Sequence, residues 1–289
     1  MADASLAFTW GRPDADNVDS VTGKVEIKDV ETKHLPGPRT VRVYLPPGYE
    51  EDHARRYAVM YLHDGQNAFS GDTSFLPNKE WKADEAAQAL IEAGLIEPLL
   101  IVAIDNGGER RGDEFLPTRD TLPDGVTMGG DADRYARMVI EEIKPLIDSE
   151  YRTRTDPDST AMCGSSLGGI ITLHIGLGHP QLFGKLAVVS PSLWWDHKVM
   201  IKRARALPHK QAQRIWIDAG TDENGHEHAA RARELGRILE GKGWVPGEDL
   251  AVYIDGYAIH REDAWARRFP VILMFLFGRH DRGGAPRAG

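Results

Sequence analysis

Gly164-Ser165-Ser166-Leu167-Gly168 sets a serine between glycines two residues before and two residues after it. That spacing suits a nucleophile carried on a sharp strand-to-helix turn, a nucleophile elbow, where a side chain at either flank would strike the crowded backbone. Apolar Ala161, Met162 and Cys163 can end a buried strand, and residues 167–177 can form the packed helix, with Gly169 allowing close approach. Such a helix would aim its positive N-terminal end at the oxygen on which negative charge develops during acyl transfer. A glycine-rich turn could carry the same letters without chemistry; the strand before it and the helix after it favour the elbow.

A serine hydroxyl is a weak nucleophile. It needs a base, and the base needs an orienting carboxylate. Of the 11 histidines, His260 alone lies past the last expected strand and before the closing helix, so it is the best base. Asp222 or Glu223 supplies the acid, which gives the order serine, acid, histidine. An oxyanion needs two backbone N–H donors. Leu167 is expected to give one, and Gly65 or Gln66 the other. His63 and Asp64 border that second donor and are expected beside the substrate, although a structural hydrogen bond would equally account for His63. Trp194 and Trp195 would line a wall for the acyl or alcohol group, with a core position an equal alternative for one of them. Arg111, with Arg110 and Arg119, could meet an anionic substrate. His226 and His228 flank Glu227, and without a third ligand they are read as solvated helix residues. No metal and no cofactor are expected. His174, inside the helix after the elbow, is read as a satisfied core residue.

These residues need a scaffold. Residues 24–32 alternate apolar and charged, like an outer antiparallel strand, and residues 40–45 pair with them across Leu35-Pro36-Gly37-Pro38. Residues 57–62 and 99–104 are continuous apolar runs, as buried central strands are. Helical spacing marks residues 81–93 and 131–149, and a long polar loop is expected over 105–130. Further strands are expected at 159–163, 185–189, 214–218 and 250–254, with helices at 226–240 and 262–277. Alternating strands and helices predict βα units and a mostly parallel sheet, with polar loops gathered at the strands' carboxyl ends.

The chain has 289 residues, 41% hydrophobic and 27% charged, which suits one globular α/β domain. A formal net charge of −9 disfavours a nucleic-acid partner. Cys163 is the single cysteine and is read as a small buried hydrophobe. Residues 1–19 carry acids and no apolar run, so neither a secretory signal nor a membrane partner is expected, and a cytoplasmic location is. The expected organisation is a polar segment at 1–21, one domain at 22–278 and a flexible basic tail at 279–289. A homo-oligomer is compatible with this composition.

Four motifs in order are more specific than any one of them. Tyr61-Leu62-His63-Asp64-Gly65-Gln66-Asn67, the elbow with Gly169, Ser190-Pro191-Ser192-Leu193-Trp194-Trp195 and His260-x-Glu262-x-x-Trp265 resemble the putative esterase family of α/β-hydrolases. Val43-Tyr44-Leu45-Pro46-Pro47-Gly48-Tyr49, Ile143-Lys144-Pro145 and Tyr151-Arg152-Thr153 extend the resemblance to about residues 22–278. The family includes feruloyl esterases, S-formylglutathione hydrolases, enterochelin esterases and mycolyl transferases. The resemblance implies an α/β-hydrolase fold: a mostly parallel central sheet, antiparallel N-terminal strands and helices on both faces. It further implies Ser166 as nucleophile and His260 as base. The acid is expected two positions beyond the threonine of Gly220-Thr221, which picks Glu223 over Asp222. The chain departs from many relatives by carrying Tyr257-Ala258-Ile259 where they carry glycines, and glutamate where the acid is often aspartate.

The function expected is that of a serine carboxylic-ester hydrolase working through an acyl-enzyme on a small aryl (feruloyl-type) or sugar ester. The same triad would serve an acyltransferase or a siderophore (enterochelin-type) ester hydrolase. A non-catalytic binding module is disfavoured because serine, acid and histidine are all present in order.

Overall fold

The computed structural model describes residues 21–223 and 226–279. Most of the expected N-terminal segment and all but residue 279 of the expected basic tail lie outside the described residues.

Three runs read from the sequence become β1 (Lys24–Val30), β2 (Arg39–Leu45) and β3 (Ala58–His63). Helix α1 (Ala83–Glu92) and strand β4 (Leu99–Ile104) follow. The expected polar loop over 105–130 is partly ordered, holding a short helix α2 (Arg111–Phe115) and a hairpin of β5 (Asp120–Thr121) and β6 (Thr127–Met128). The next helix is one rod with a defect: α3 (Ala132–Arg137), a π-helical turn at Met138–Ile143, and α4 (Lys144–Glu150). Pro145 explains the defect, since it lacks an N–H and its ring crowds the carbonyl four residues back.

Strand β7 (Thr160–Ser165) and helix α5 (Leu167–Gly178) flank Ser166. Strand β8 (Lys185–Val189) leads to α6 (Trp195–Ala206), a helix absent from the sequence-based expectation. Its start is irregular: Asp196, His197 and Lys198 have φ of 41°, 50° and 64°, so no regular apolar period announces it. Strand β9 (Arg214–Gly220), α7 (Glu227–Lys242), β10 (Leu250–Asp255) and α8 (Glu262–Phe277) complete the chain.

The main sheet has eight strands in the order β1-β2-β4-β3-β7-β8-β9-β10. Strands β1 and β2 run antiparallel to their neighbours, and the rest are parallel. Every residue of β3, β4 and β7 is buried, as expected of strands covered on both faces. One core, beneath α5, α6 and α7, includes Ile170, Ile201 and Leu235; the other, beneath α1 and α8, includes Ala87, Phe269 and Leu273. A Cβ on Gly176 of α5 would come 2.4 Å from a Leu186 methyl, so glycine lets that helix sit directly on the sheet. Among the described residues no helix is long and apolar enough to cross a membrane.

Candidate active site

The carboxyl end of β7 delivers the chain to Ser166 at φ 58° and ψ −118°. A non-glycine residue in such a conformation stores about 1–3 kcal/mol, which surrounding bonds must offset. Here the Ser166 N–H donates to the Val189 carbonyl at 3.0 Å, and its carbonyl accepts from Gly169, Ile170 and Ser192 at 3.1, 3.3 and 3.1 Å. The glycine spacing now has a steric reason. A Cβ on Gly164 would lie 2.5 Å from the Gly168 carbonyl oxygen, and one on Gly168 would lie 3.2 Å from Asp64 Oδ2. Ser165 is buried while Ser166 is half-buried, so the turn exposes the second serine.

Strand β9 carries the acid loop. Glu223 is fully buried, and both of its carboxylate oxygens are engaged. Oε1 accepts from the Gly220 N–H at 2.8 Å and from Ser190 Oγ at 2.7 Å. Oε2 lies 3.2 Å from His260 Nδ1. Burial alone would push this carboxyl up, but the hydrogen bonds from His260 and Ser190 outweigh it and hold the pKa below the usual glutamate value. Asp222, by contrast, is exposed, and its N–H donates to the Ala258 carbonyl at 3.1 Å. Gly220 is required here because a Cβ would stand 2.1 Å from that same carbonyl oxygen. The histidine loop is tied to the acid loop again where the Tyr257 N–H donates to Thr221 Oγ1 at 2.7 Å. Tyr257 itself has φ 61°, in the left-handed region that favours glycine.

Ser190 is a hub that the sequence motif contained without revealing. Its hydroxyl donates to Glu223 and accepts from Trp265 Nε1 at 3.1 Å and Arg268 Nη2 at 2.8 Å. Arg268 is buried 3.5 Å from Glu223 Oε1 and 3.6 Å from Asp218 Oδ1, one cation between two carboxylates. Burial lifts the Asp218 pKa to about 6, against the lowering pull of Arg268.

Ser166 Oγ lies 3.2 Å from Ser192 Oγ. Among the described residues its hydroxyl is hydrogen-bonded to Ser192 rather than to His260. The N–H groups of Leu167 and Gly168 precede the first hydrogen bond of α5 and are free to donate. Those of Gly65 and Gln66 likewise lead a 3₁₀ turn at Gly65–Asn67, opened by Asp64 at φ 57°. The two sets of donors are neighbours, because a Cβ on Gly168 would lie 3.6 Å from His63 Cβ as well as near Asp64.

Several of the residues expected beside the substrate make hydrogen bonds within the protein. Asp64 accepts from Arg111 Nε and Nη2 at 2.6 and 2.8 Å and from Asn106 Nδ2 at 2.7 Å. Burial raises its pKa, and the Arg111 charge and these bonds bring it below the ordinary value. Gln66 Oε1 accepts from the Asn106 N–H at 3.2 Å, a second tie to the loop after β4. His63 is buried beneath that turn, with Nδ1 2.9 Å from Tyr135 Oη, and burial lowers its pKa to about 4, so the ring is neutral. Trp195 is buried and donates from Nε1 to the Thr118 carbonyl at 3.2 Å, whereas Trp194 stays half-buried. Arg110 donates to the Pro36 carbonyl at 2.8 Å, and Arg119 is exposed. His174 is bridged to Asp133 at 2.8 Å and Arg203 at 2.6 Å.

His228 corrects the expectation of two solvated helix histidines. His226 is exposed, but His228, on the inner face of the first turn of α7, is buried. Its Nδ1 lies 3.6 Å from Glu223 Oε2, and its ring stands edge-on to His260 at 4.9 Å. Glu223, His228 and His260 each bring one ligand atom within 4.8 Å of the others, a grouping able to hold a metal ion.

A parallel-rich sheet with a strained serine at the end of a central strand, and a buried carboxylate paired to a histidine after the last strand, defines the α/β-hydrolase class. A family model described as "Putative esterase" matches residues 32–276, and the chain belongs to that family. It is 24% identical over 257 residues to the uncharacterized protein YbbA of Bacillus subtilis, covering 86% of this chain and 96% of that one. It is 29% identical over 189 residues to an endo-1,4-beta-xylanase/feruloyl esterase of Xylanibacter ruminicola, covering 64% of this chain but 23% of that larger protein. Ferri-bacillibactin esterase BesA of Bacillus subtilis is 25% identical over 210 residues, covering 70% of this chain and 71% of its own. The BES protein from Bacillus cereus superposes with a TM-score of 0.69 at 21% identity, covering 92% of this chain and 99% of that one. The chain is accordingly a carboxylic-ester hydrolase for small ester substrates.

Proposed function

We propose that the chain is a serine esterase in which Ser166, His260 and Glu223 work as a triad. The observation that carries this is the division of the Glu223 carboxylate: one oxygen is pinned by Gly220 and Ser190, and the other faces His260 Nδ1 at 3.2 Å. That contact orients the imidazole with its proton on Nδ1, leaving Nε2 to accept the Ser166 proton. For this transfer the Ser166 hydroxyl must exchange its Ser192 partner for His260 Nε2. Ser166 Oγ then bonds to the ester carbonyl carbon, and the carbonyl oxygen takes the negative charge. The N–H groups of Leu167 and of Gly65 or Gln66 receive it. Collapse of this intermediate breaks the bond to the alcohol, which leaves with the proton from His260. Water, deprotonated by His260, repeats the sequence on the acyl-enzyme, releases the acid and returns the proton to Ser166.

An uncharged aryl (feruloyl-type) or sugar ester is the favoured substrate. Arg111 is paired to Asp64 in a bidentate bridge, so it offers little free charge to an anion. Half-buried Trp194 supplies an aromatic surface. A siderophore ester is the second reading, favoured by the similarity to BesA. The domain is taken as residues 22–278, in keeping with the family match over 32–276. A reducing, cytoplasmic location fits the one cysteine, which is buried and free.

A panel of methyl ferulate, acetylated sugars, S-formylglutathione and a catecholate trilactone, assayed for kcat/KM, tests the substrate. Preference for the trilactone would replace the aryl-ester reading. A burst from a p-nitrophenyl ester whose turnover depends on added alcohol would replace hydrolysis by acyl transfer.

A further inference from the structure

The buried His228 has no part in the proton transfers just described, yet it stands against the acid that organises them. Its Nδ1 has no hydrogen-bond partner among the described residues, and it faces Glu223 Oε2 at 3.6 Å, beyond hydrogen-bond range. His260 Nδ1 lies 3.2 Å from the same oxygen. Two imidazoles and a carboxylate form the donor set of many zinc sites. Bonds of about 2.0–2.1 Å to a tetrahedral ion hold ligand atoms about 3.3 Å apart. The Glu223–His260 and Glu223–His228 separations bracket that spacing. One ligand atom from each of the three residues lies within 4.8 Å of the other two. Arg231, the nearest cation on α7, is turned to Glu227 at 2.5 Å.

We propose that Glu223, His228 and His260 form an inhibitory site for a borderline divalent cation of the Zn²⁺ type. The proposal rests on the triad reading and adds a regulator to it. The ion accepts lone pairs from Glu223 Oε2, His228 Nδ1 and His260 Nδ1. The His260 proton moves from Nδ1 to Nε2, so no proton is lost overall. Nε2, now an N–H, can no longer accept the Ser166 proton, and the carboxylate that oriented the base is taken by the metal. Chelation restores both.

The test uses the whole protein. Zinc chloride should inhibit p-nitrophenyl ester hydrolysis, and EDTA should reverse it. Losing an outer partner of a metal ligand costs about 10–100-fold in affinity, so losing a ligand itself should raise the half-inhibiting zinc concentration about 100-fold or more. His228→Phe and His228→Gln should both show this, each measured against its own zinc-free rate. In Ser166→Ala protein, which keeps all three ligands, Co²⁺ should give the visible bands of a tetrahedral site, and His228→Gln in that background should abolish them. Equal zinc sensitivity with and without His228, zinc activation, or no Co²⁺ bands in Ser166→Ala protein would overturn the proposal. Failure of the triad reading is a separate result, an active Ser166→Ala variant.

Discussion

Ser190 Oγ lies 2.7 Å from Glu223 Oε1, and the same hydroxyl accepts from Trp265 and Arg268, residues one turn apart on α8. A single side chain thus couples the loop after β8, the acid after β9 and the helix after His260. Ser190→Ala should lower kcat about tenfold with little change in KM, since it loosens the acid without touching the substrate pocket. It should also cost about 1–3 kcal/mol of stability, because two buried donors lose their acceptor. Unchanged kcat in a folded variant would remove Ser190 from the account.

The acid loop makes a ranking. Glu223→Gln keeps the shape but removes the charge that holds the imidazole, so kcat should fall about 10³–10⁴-fold. Asp222→Asn should cost less than about tenfold, since its exposed side chain does not reach His260. Steady-state kinetics of the two purified variants decide between them, and the reverse ranking would shift the acid by one position.

His63 gives a pH-dependent stability. Its folded pKa is near 4 against 6.5 for the free side chain, so the unfolded chain binds the proton first. Its contribution is complete above pH 6.5 and is lost as pH falls towards 4. By pH 5 the loss amounts to about 2 kcal/mol. Urea unfolding of wild type and His63→Gln at pH 7.5 and pH 5 should show the gap between them narrowing by about that amount in acid. Parallel losses would mean that His63 titrates normally.

The elbow is sterically exacting. Gly164→Ala places a methyl 2.5 Å from the Gly168 carbonyl oxygen, a backbone atom rather than the end of a flexible side chain. A loss of about 3 kcal/mol or more, or failure to fold, is expected by thermal unfolding. Gly178→Ala, where a Cβ meets nothing within 4 Å, is the control and should stay close to wild type.

The features legible in the sequence were those encoded locally. Apolar runs marked β3, β4 and β8, the glycine spacing marked Ser166, and the order serine, acid, histidine pointed to loops the structure brings together at Glu223 and His260. What escaped was non-local or irregular. Ser190, Glu223 and Arg268 meet across 33 and 78 residues of chain, and neither composition nor period reports such a meeting. His228 looked solvated beside His226 because the helical repeat that turns one outward and the other inward depends on where α7 starts. Helix α6 was missed because its first turn is left-handed and its apolar positions are few.

The most direct test of the account is the site of covalent labelling by a serine-directed fluorophosphonate, located by peptide mass spectrometry. Three serines crowd the turn: buried Ser165, half-buried Ser166, and Ser192, whose hydroxyl is 3.2 Å from that of Ser166. Labelling is predicted at Ser166 alone, to be abolished in Ser166→Ala and His260→Ala, with ester hydrolysis falling about 10⁴-fold or more in Ser166→Ala. A label on Ser165 or Ser192, or a Ser166→Ala variant that still turns over, would contradict it.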